Sequence, residues 1–124
     1  MQKILFIGLA GLLGTLGRYA LASFATQRFG DRFPIGTLLV NIIGCFLAGL
    51  LFYLFQERWS LNTAMQSAVM IGLLGGFTTF SAYGLQTFAL LRDGRIALAT
   101  INVVASNVFG LLTVWAGYSL GKSL

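Results

Sequence analysis

Side chains that can form hydrogen bonds recur inside otherwise apolar stretches of this sequence. Thr37 and Asn41 lie in one such stretch, and Thr78, Thr79 and Ser81 lie in another. All five can donate a hydrogen bond, whereas the same two stretches hold no Asp, Glu, Lys or His. Proton-coupled carriers generally need an ionisable group within the membrane, so its absence here disfavours that class of protein. A path lined by hydrogen-bond donors and free of carboxylates favours a small anion instead.

Two further apolar stretches add a cation and an amide. Arg18 is the one charge inside the first stretch, and Asn107 follows Ser106 in the last. Arg18 is interpreted either as a cation beside the anion path or as an anchor whose guanidinium snorkels to the lipid headgroups. Polar residues at helical spacing are also expected where membrane helices are joined by hydrogen bonds, so packing remains an alternative for each of them.

The composition excludes most soluble classes of protein. Hydrophobic residues make up 57% of the 124 residues and charged residues only 9%, against roughly 25% charged residues in a typical soluble domain. The eight basic residues are scattered and form no patch for nucleic acid. One Cys and no His exclude a disulfide framework and a His/Cys metal site. We therefore expect an integral membrane protein that is not an enzyme and has no nucleic-acid partner.

Hydropathy predicts a single, all-α transmembrane domain over residues 1–124, with four spans. A spanning helix needs about 20 apolar residues, and the four candidates run over about 4–24, 34–55, 63–91 and 96–121. The short segments between them hold almost all of the charges, so consecutive helices are expected to run antiparallel with both termini on one side. The lipid bilayer is then a partner of the whole chain.

The third span is predicted to be broken near 75–79. A straight helix over 63–91 would measure about 43 Å, well beyond a hydrocarbon core of roughly 30 Å. Its middle holds two adjacent glycines and two adjacent threonines, which make a poor helix interior. A break buried in a membrane protein frees backbone carbonyls for a cation and presents a helix N-terminus to an anion. The alternative is a glycine-lined packing kink without an ion.

Two aromatic residues follow the predicted break. Phe80 and Tyr83 are three residues apart and therefore share one helical face, with Ser81 beside them. A ring edge carries partial positive charge, so these rings could line an anion path without trapping the ion. Packing in the core is the alternative for both.

The basic residues give little preference for one orientation in the membrane, although Lys and Arg normally concentrate in cytoplasmic loops. The side of the termini carries Lys3, Arg58 and Lys122, and the opposite side carries Arg28, Arg32, Arg92 and Arg95. So weak a bias predicts that the chain inserts both ways and pairs with an inverted copy of itself. The alternative is a single orientation set by the residual bias or by the first helix.

Two motifs resemble those of the Fluc (CrcB) family of bacterial fluoride channels. The segment 36–44 reads G-T-L-L-V-N-I-I-G, and the segment 72–81 reads G-L-L-G-G-F-T-T-F-S. Arg18, after a glycine-rich first helix, fits the same pattern, and the resemblance covers the whole chain. It implies an antiparallel, dual-topology homodimer with two pores, which lets fluoride leak passively out of the cell across the bacterial inner membrane.

The resemblance also implies roles for particular residues. A structural sodium ion at the dimer centre would be held by the backbone carbonyls of Gly75 and Thr78 from each subunit. The fluoride path would include Asn41 as the pore-lining asparagine, Phe80 and Tyr83 as paired rings, and polar neighbours. The full set implied for the path is Arg18, Thr37, Asn41, Thr79, Phe80, Ser81, Tyr83 and Asn107.

The chain departs from the family pattern at two positions, and rival functions stay open. Tyr83 stands where a second phenylalanine is usual, and Leu111 stands where a serine is frequent. A small dual-topology multidrug exporter also has four spans, but it depends on a glutamate that this first helix lacks. A membrane subunit that transports nothing, and pairing with a different chain, are the remaining alternatives.

Overall fold

The computed structural model describes residues 1–124 and contains only helices and the turns between them. Helix α1 spans Gln2–Phe29, α2 spans Ile35–Tyr53 and α6 spans Ile96–Ser123. A π-helical segment, π1, continues α2 over Leu54–Arg58. The third span has four pieces, which in chain order are α3 (Thr63–Ser67), π2 (Ala68–Leu74), α4 (Gly75–Phe77) and α5 (Phe80–Arg92).

Four helical stretches are long and apolar enough to cross a membrane, which confirms the predicted number of spans. They cover Gln2–Phe29, Ile35–Arg58, Thr63–Arg92 and Ile96–Ser123. The first helix continues five residues beyond its predicted end at about residue 24, because hydropathy locates the apolar part of a helix and not its last hydrogen bond. Its polar last turn includes Arg28, a cation that is favourable at the negative end of a helix dipole.

Local residue chemistry explains where several helices begin. The Asn62 side chain caps α3 by accepting a hydrogen bond from the Met65 N–H at 2.8 Å. Pro34 lies immediately before α2, where its missing N–H has no helical partner to lose. Between α5 and α6, Gly94 turns the chain with a φ of +75°, a conformation that residues with a side chain rarely adopt.

The most extensive helix contact joins α2 to α6. The two backbones come close because Gly49 of α2 lies against the Val114 carbonyl, and Gly117 of α6 lies against the Phe46 carbonyl. Helix α1 packs mainly on π2, and to an equal, smaller extent on α2 and α4. Small residues at such crossings are typical of membrane helices, which associate through close packing because lipid tails are as apolar as their side chains.

Very little of the chain is buried. Only 17 of 124 residues are buried within it, so most of its large apolar side chains face outward, as expected where lipid or another subunit covers them. One buried polar residue is Asn102, whose Nδ2 donates to Thr87 Oγ1 at 2.9 Å. This bond ties α6 to α5.

Candidate functional site

Thr78 and Thr79 interrupt the helical backbone near the middle of the third span. Thr78 has φ −84° and ψ 160°, and Thr79 has φ −152° and ψ 120°, both extended conformations. The adjacent Gly75 and Gly76 remain helical in α4. The interruption therefore falls on the two β-branched residues, whose side chains fit an extended backbone well, at one end of the segment 75–79 in which a break was predicted.

The two threonine hydroxyls bond to the helix ends on either side. Thr78 Oγ1 donates to the Leu74 carbonyl at 3.0 Å. Thr79 Oγ1 accepts from the Ala82 N–H at 3.2 Å and so caps α5. The same oxygen lies 3.3 Å from Ser81 Oγ, which places the Ser81 hydroxyl beside the first turn of α5.

Asn41 crosses from α2 to the interruption. Its Nδ2 donates to the Thr79 carbonyl at 2.9 Å, and its Oδ1 accepts from the Thr79 N–H at 2.8 Å. A backbone N–H can only donate and a carbonyl can only accept, so these partners fix which end of the Asn41 amide is oxygen. The residue is half-buried, and α2 is thereby fastened to the third span.

A groove of about 450 Å³, here called the break groove, opens beside the interruption. It contains the Phe80 and Tyr83 rings, whose centroids are 5.4 Å apart at an interplanar angle of 49°. Phe80 is 82% exposed. The residues that line the break groove are Asn41, Gly44, Cys45, Ala48, Met70, Leu74, Gly75, Thr78, Thr79, Phe80, Tyr83, Ser106, Asn107 and Val114.

The fourth span contributes polar groups to one wall of the break groove. Asn107 Nδ2 donates to the Val103 carbonyl at 2.8 Å and lies 3.5 Å from the Tyr83 hydroxyl oxygen. The second distance is at the outer limit of a hydrogen bond, so the hydroxyl holds Asn107 only weakly. Ser106 lies on the same wall.

A second groove, of about 330 Å³, lies on the other side of Thr79 and is here called the arginine groove. Arg18 is half-buried in it and makes no ion pair, since the single salt bridge of the structure joins Arg92 to Asp93. The residues that line the arginine groove are Thr15, Arg18, Tyr19, Ala22, Thr37, Val40, Thr79 and Ala82.

The structure brings the sequence-predicted site residues into two groups that meet at Thr79. Thr79 lines both grooves, Arg18 and Thr37 line the arginine groove only, and Ser81 lines neither. The remaining members share the break groove, namely Asn41, Gly75, Thr78, Phe80, Tyr83 and Asn107.

Sequence reasoning missed Gln86. Its Oε1 is buried and has no hydrogen-bond partner, and the residue lines a third cavity, of about 360 Å³, that shares Thr37 and Ala22 with the arginine groove. The available signal was its spacing, because Gln86 follows Tyr83 by one helical turn and extends the polar face of α5.

Oxygen atoms at the interruption are suited to a hard cation. Thr79, which would bond to the Gly75 carbonyl in a continuous helix, directs its N–H to Asn41 instead. Gly75 is exposed, and a Cβ built there meets nothing within 4 Å. No group of three or more His, Cys, Asp or Glu side chains comes together. The donor set for a cation here is therefore carbonyl and hydroxyl oxygen, which suits an alkali or alkaline-earth ion.

The fold and the two grooves define a class, a small four-span membrane protein with a donor-lined interruption in its third span. Comparison with known proteins is more specific. The family described as "CrcB-like protein, Camphor Resistance (CrcB)" matches residues 5–118. The chain belongs to this family.

Curated relatives match the chain along almost its whole length. A protein of Desulforapulum autotrophicum named "Fluoride-specific ion channel FluC" is 45% identical over 98% of this chain and 97% of its own. A protein of the same name from Citrifermentans bemidjiense is 42% identical over the full length of both chains. Another, from Opitutus terrae, is 45% identical over 95% of this chain and 91% of its own. All three relatives are named as ion channels and not as enzymes.

Proposed function

We propose that this chain forms a passive channel through which fluoride leaves the cell. The relatives named as fluoride-specific channels cover nearly all of the chain. Four helices long enough to span a bilayer make it a multi-pass membrane protein. The observation that supports the proposal most directly is the Thr78–Thr79 interruption, because it places hydroxyls, an amide and two aromatic rings beside one groove without any carboxylate.

The chemistry of these groups suits fluoride. The ion is small and strongly hydrated, so entry requires donors that replace its water, while binding must stay weak enough for exit. Amide and hydroxyl groups with ring edges provide several weak contacts, whereas a row of fixed cations would hold the ion. In this path Arg18 and Thr37 lie in the arginine groove, and Thr79 connects it to the break groove.

The break groove is open on the side where Phe80 and Gly75 are exposed. We expect a second, inverted copy of the chain to close it, so that an antiparallel homodimer encloses two equivalent fluoride paths. The balanced distribution of Lys and Arg supports insertion in both orientations. The bacterial inner membrane is the expected location.

A structural sodium ion at the dimer centre is part of the proposal. The backbone carbonyls of Gly75 and Thr78 from both subunits would hold it. When bound, such an ion supplies positive potential at the centre of the dimer. The Gly75 carbonyl is accessible to it because Asn41 takes the N–H of Thr79.

Growth on fluoride tests the proposal in cells. In a bacterial strain that lacks its own fluoride export, expression of this chain should restore growth at fluoride concentrations that stop the parent strain. Chloride at the same concentration is the control anion. Unchanged fluoride sensitivity, with the protein present in the membrane by immunoblot, would contradict a role in fluoride export.

A further inference from the structure

Asn41 forms both hydrogen bonds that the peptide groups of Thr79 would otherwise form along a helix. In a continuous helix the Thr79 N–H would donate to the Gly75 carbonyl, and the Thr79 carbonyl would accept from the Tyr83 N–H. The observed N–H partner is Asn41 Oδ1 at 2.8 Å, and the observed carbonyl partner is Asn41 Nδ2 at 2.9 Å. Neither helical bond of Thr79 is present.

We propose that Asn41 is a positioning residue that holds the third span open at Thr79. Its side-chain amide replaces the two helical hydrogen bonds of the Thr79 peptide groups. The Gly75 carbonyl is then left without the N–H that it would accept from in a continuous helix. A side chain on α2 thus determines the backbone conformation of a residue 38 positions later in the chain. The site residues on either side of the interruption, Gly75 and Phe80, are placed by this substitution.

The energetics of a membrane interior support this role. A backbone group without a partner costs several kcal/mol in a medium without water, so Thr79 cannot stay extended unless something replaces its helical bonds. Thr79 Oγ1 already accepts from Ala82 and is close to Ser81, and it satisfies neither peptide group of its own residue. Removing the Asn41 amide therefore favours closure of the helix at Thr79.

Packing also holds α2 against the interruption in the third span. Gly44, one turn after Asn41 in α2, lies against the Thr78 methyl group. The contact keeps α2 close to the interruption. Asn41 adds the hydrogen bonds that decide its backbone conformation.

Threonine NMR measures that conformation directly. Thr78–Thr79 is the one place where two threonines are adjacent, so protein labelled with ¹³C,¹⁵N-threonine in lipid vesicles gives a single sequential threonine correlation. In the wild type, the Cα and Cβ shifts of Thr79 should be those of an extended residue. In Asn41→Leu they should move to helical values or split into several signals.

A matched control separates this effect from general loss of an amide. Asn102→Leu removes another interhelical asparagine, which bonds to Thr87 and not to the interruption, and it should leave the Thr79 shifts extended. Extended Thr79 shifts in Asn41→Leu would overturn the positioning role, even if fluoride efflux were lost, because Asn41 would then act only as a wall of the path.

A measurement on the wild type keeps the inference testable if Asn41→Leu does not fold. With ¹³Cγ-asparagine and ¹⁵N-threonine, dipolar recoupling should detect Thr79 N close to an asparagine Cγ, and absence of that coupling would overturn the proposal. Fluoride efflux from the same vesicles is recorded in parallel, because the consequence for conduction rests on the proposed function. A wild type that shows the coupling but conducts no fluoride would contradict the proposed function and leave the positioning role standing.

Discussion

Phe80 is one of the exposed residues assigned to the fluoride path, at 82% in the single chain. Its ring and that of Tyr83 are 5.4 Å apart, and both residues line the break groove. Phe80→Ile keeps the apolar character of the position but removes the polarised ring edge. We expect fluoride efflux from proteoliposomes to fall at least tenfold, while gel filtration shows the proposed dimer intact.

The matched control for Phe80→Ile lies on the same helix. Phe88 is also exposed in α5, at 61%, but lines none of the three cavities described. Phe88→Ile should therefore retain efflux close to that of the wild type. Full fluoride efflux in Phe80→Ile would remove Phe80 from the path.

The sequence predicts several of the residues that line the break groove, but not their hydrogen-bond partners. Thr78, Thr79, Phe80 and Tyr83 are neighbours in the chain, so a single interrupted helix brings them together. The bonds between Asn41 and Thr79 join residues 38 positions apart, and their existence depends on how α2 packs against the third span. Gln86 was missed for the same reason, because burial of its oxygen is a property of three packed helices and not of α5.

Close crossings of the helix backbones position these residues at the scale of whole elements. Gly14 of α1 lies against the Leu73 carbonyl, and a Cβ on it would also meet the Phe77 nitrogen at 2.9 Å. Gly14→Ala should therefore push α1 away from the piece of the third span that precedes the interruption. We expect a loss of about 1–3 kcal/mol in stability, seen as a lower midpoint temperature of thermal unfolding in detergent.

Gly8→Ala is the control for that substitution. Gly8 lies on the same helix, and a Cβ there meets nothing within 4 Å. The midpoint temperature of thermal unfolding of Gly8→Ala should equal or slightly exceed that of the wild type, since alanine favours helix more than glycine does. Equal midpoints for Gly8→Ala and Gly14→Ala would show that the crossing of α1 does not limit stability.

Hydropathy was enough to predict the four membrane-spanning helices, but not the segments where their backbone departs from an α-helix. Four apolar stretches gave four spans, but the π-helical segments π1 and π2 carry no sequence pattern that distinguishes them from α-helix. The glycine pair suggested where the third span would be irregular, yet Gly75 and Gly76 stay helical. The extended conformation falls on Thr78 and Thr79, and the bonds that replace the helical ones of Thr79 come from Asn41 in another element.

At the scale of the whole molecule, an antiparallel pair requires copies inserted in both orientations. Gln2→Lys with Ser60→Arg and Leu61→Arg adds positive charge on the side of the termini, and Asp31→Arg with Ala97→Arg adds it on the opposite side. Each set should fix one orientation and reduce fluoride efflux to below a tenth when expressed alone.

Coexpression of the two charge-altered chains completes that test. The two fixed orientations can then pair, and efflux should return to a level close to that of the wild type. Retention of full efflux by either chain alone, with its single orientation verified by labelling of the termini, would contradict the antiparallel dimer.

Selective fluoride movement through the purified chain is the most direct test of its central function. Liposomes loaded with equal fluoride and chloride, containing this chain and no other protein, are monitored with an electrode for each anion while valinomycin balances charge with potassium. Fluoride should leave rapidly without an imposed proton gradient, and chloride should stay inside. Equal release of both anions, or no fluoride release from vesicles that contain the folded protein, would contradict a fluoride-selective channel.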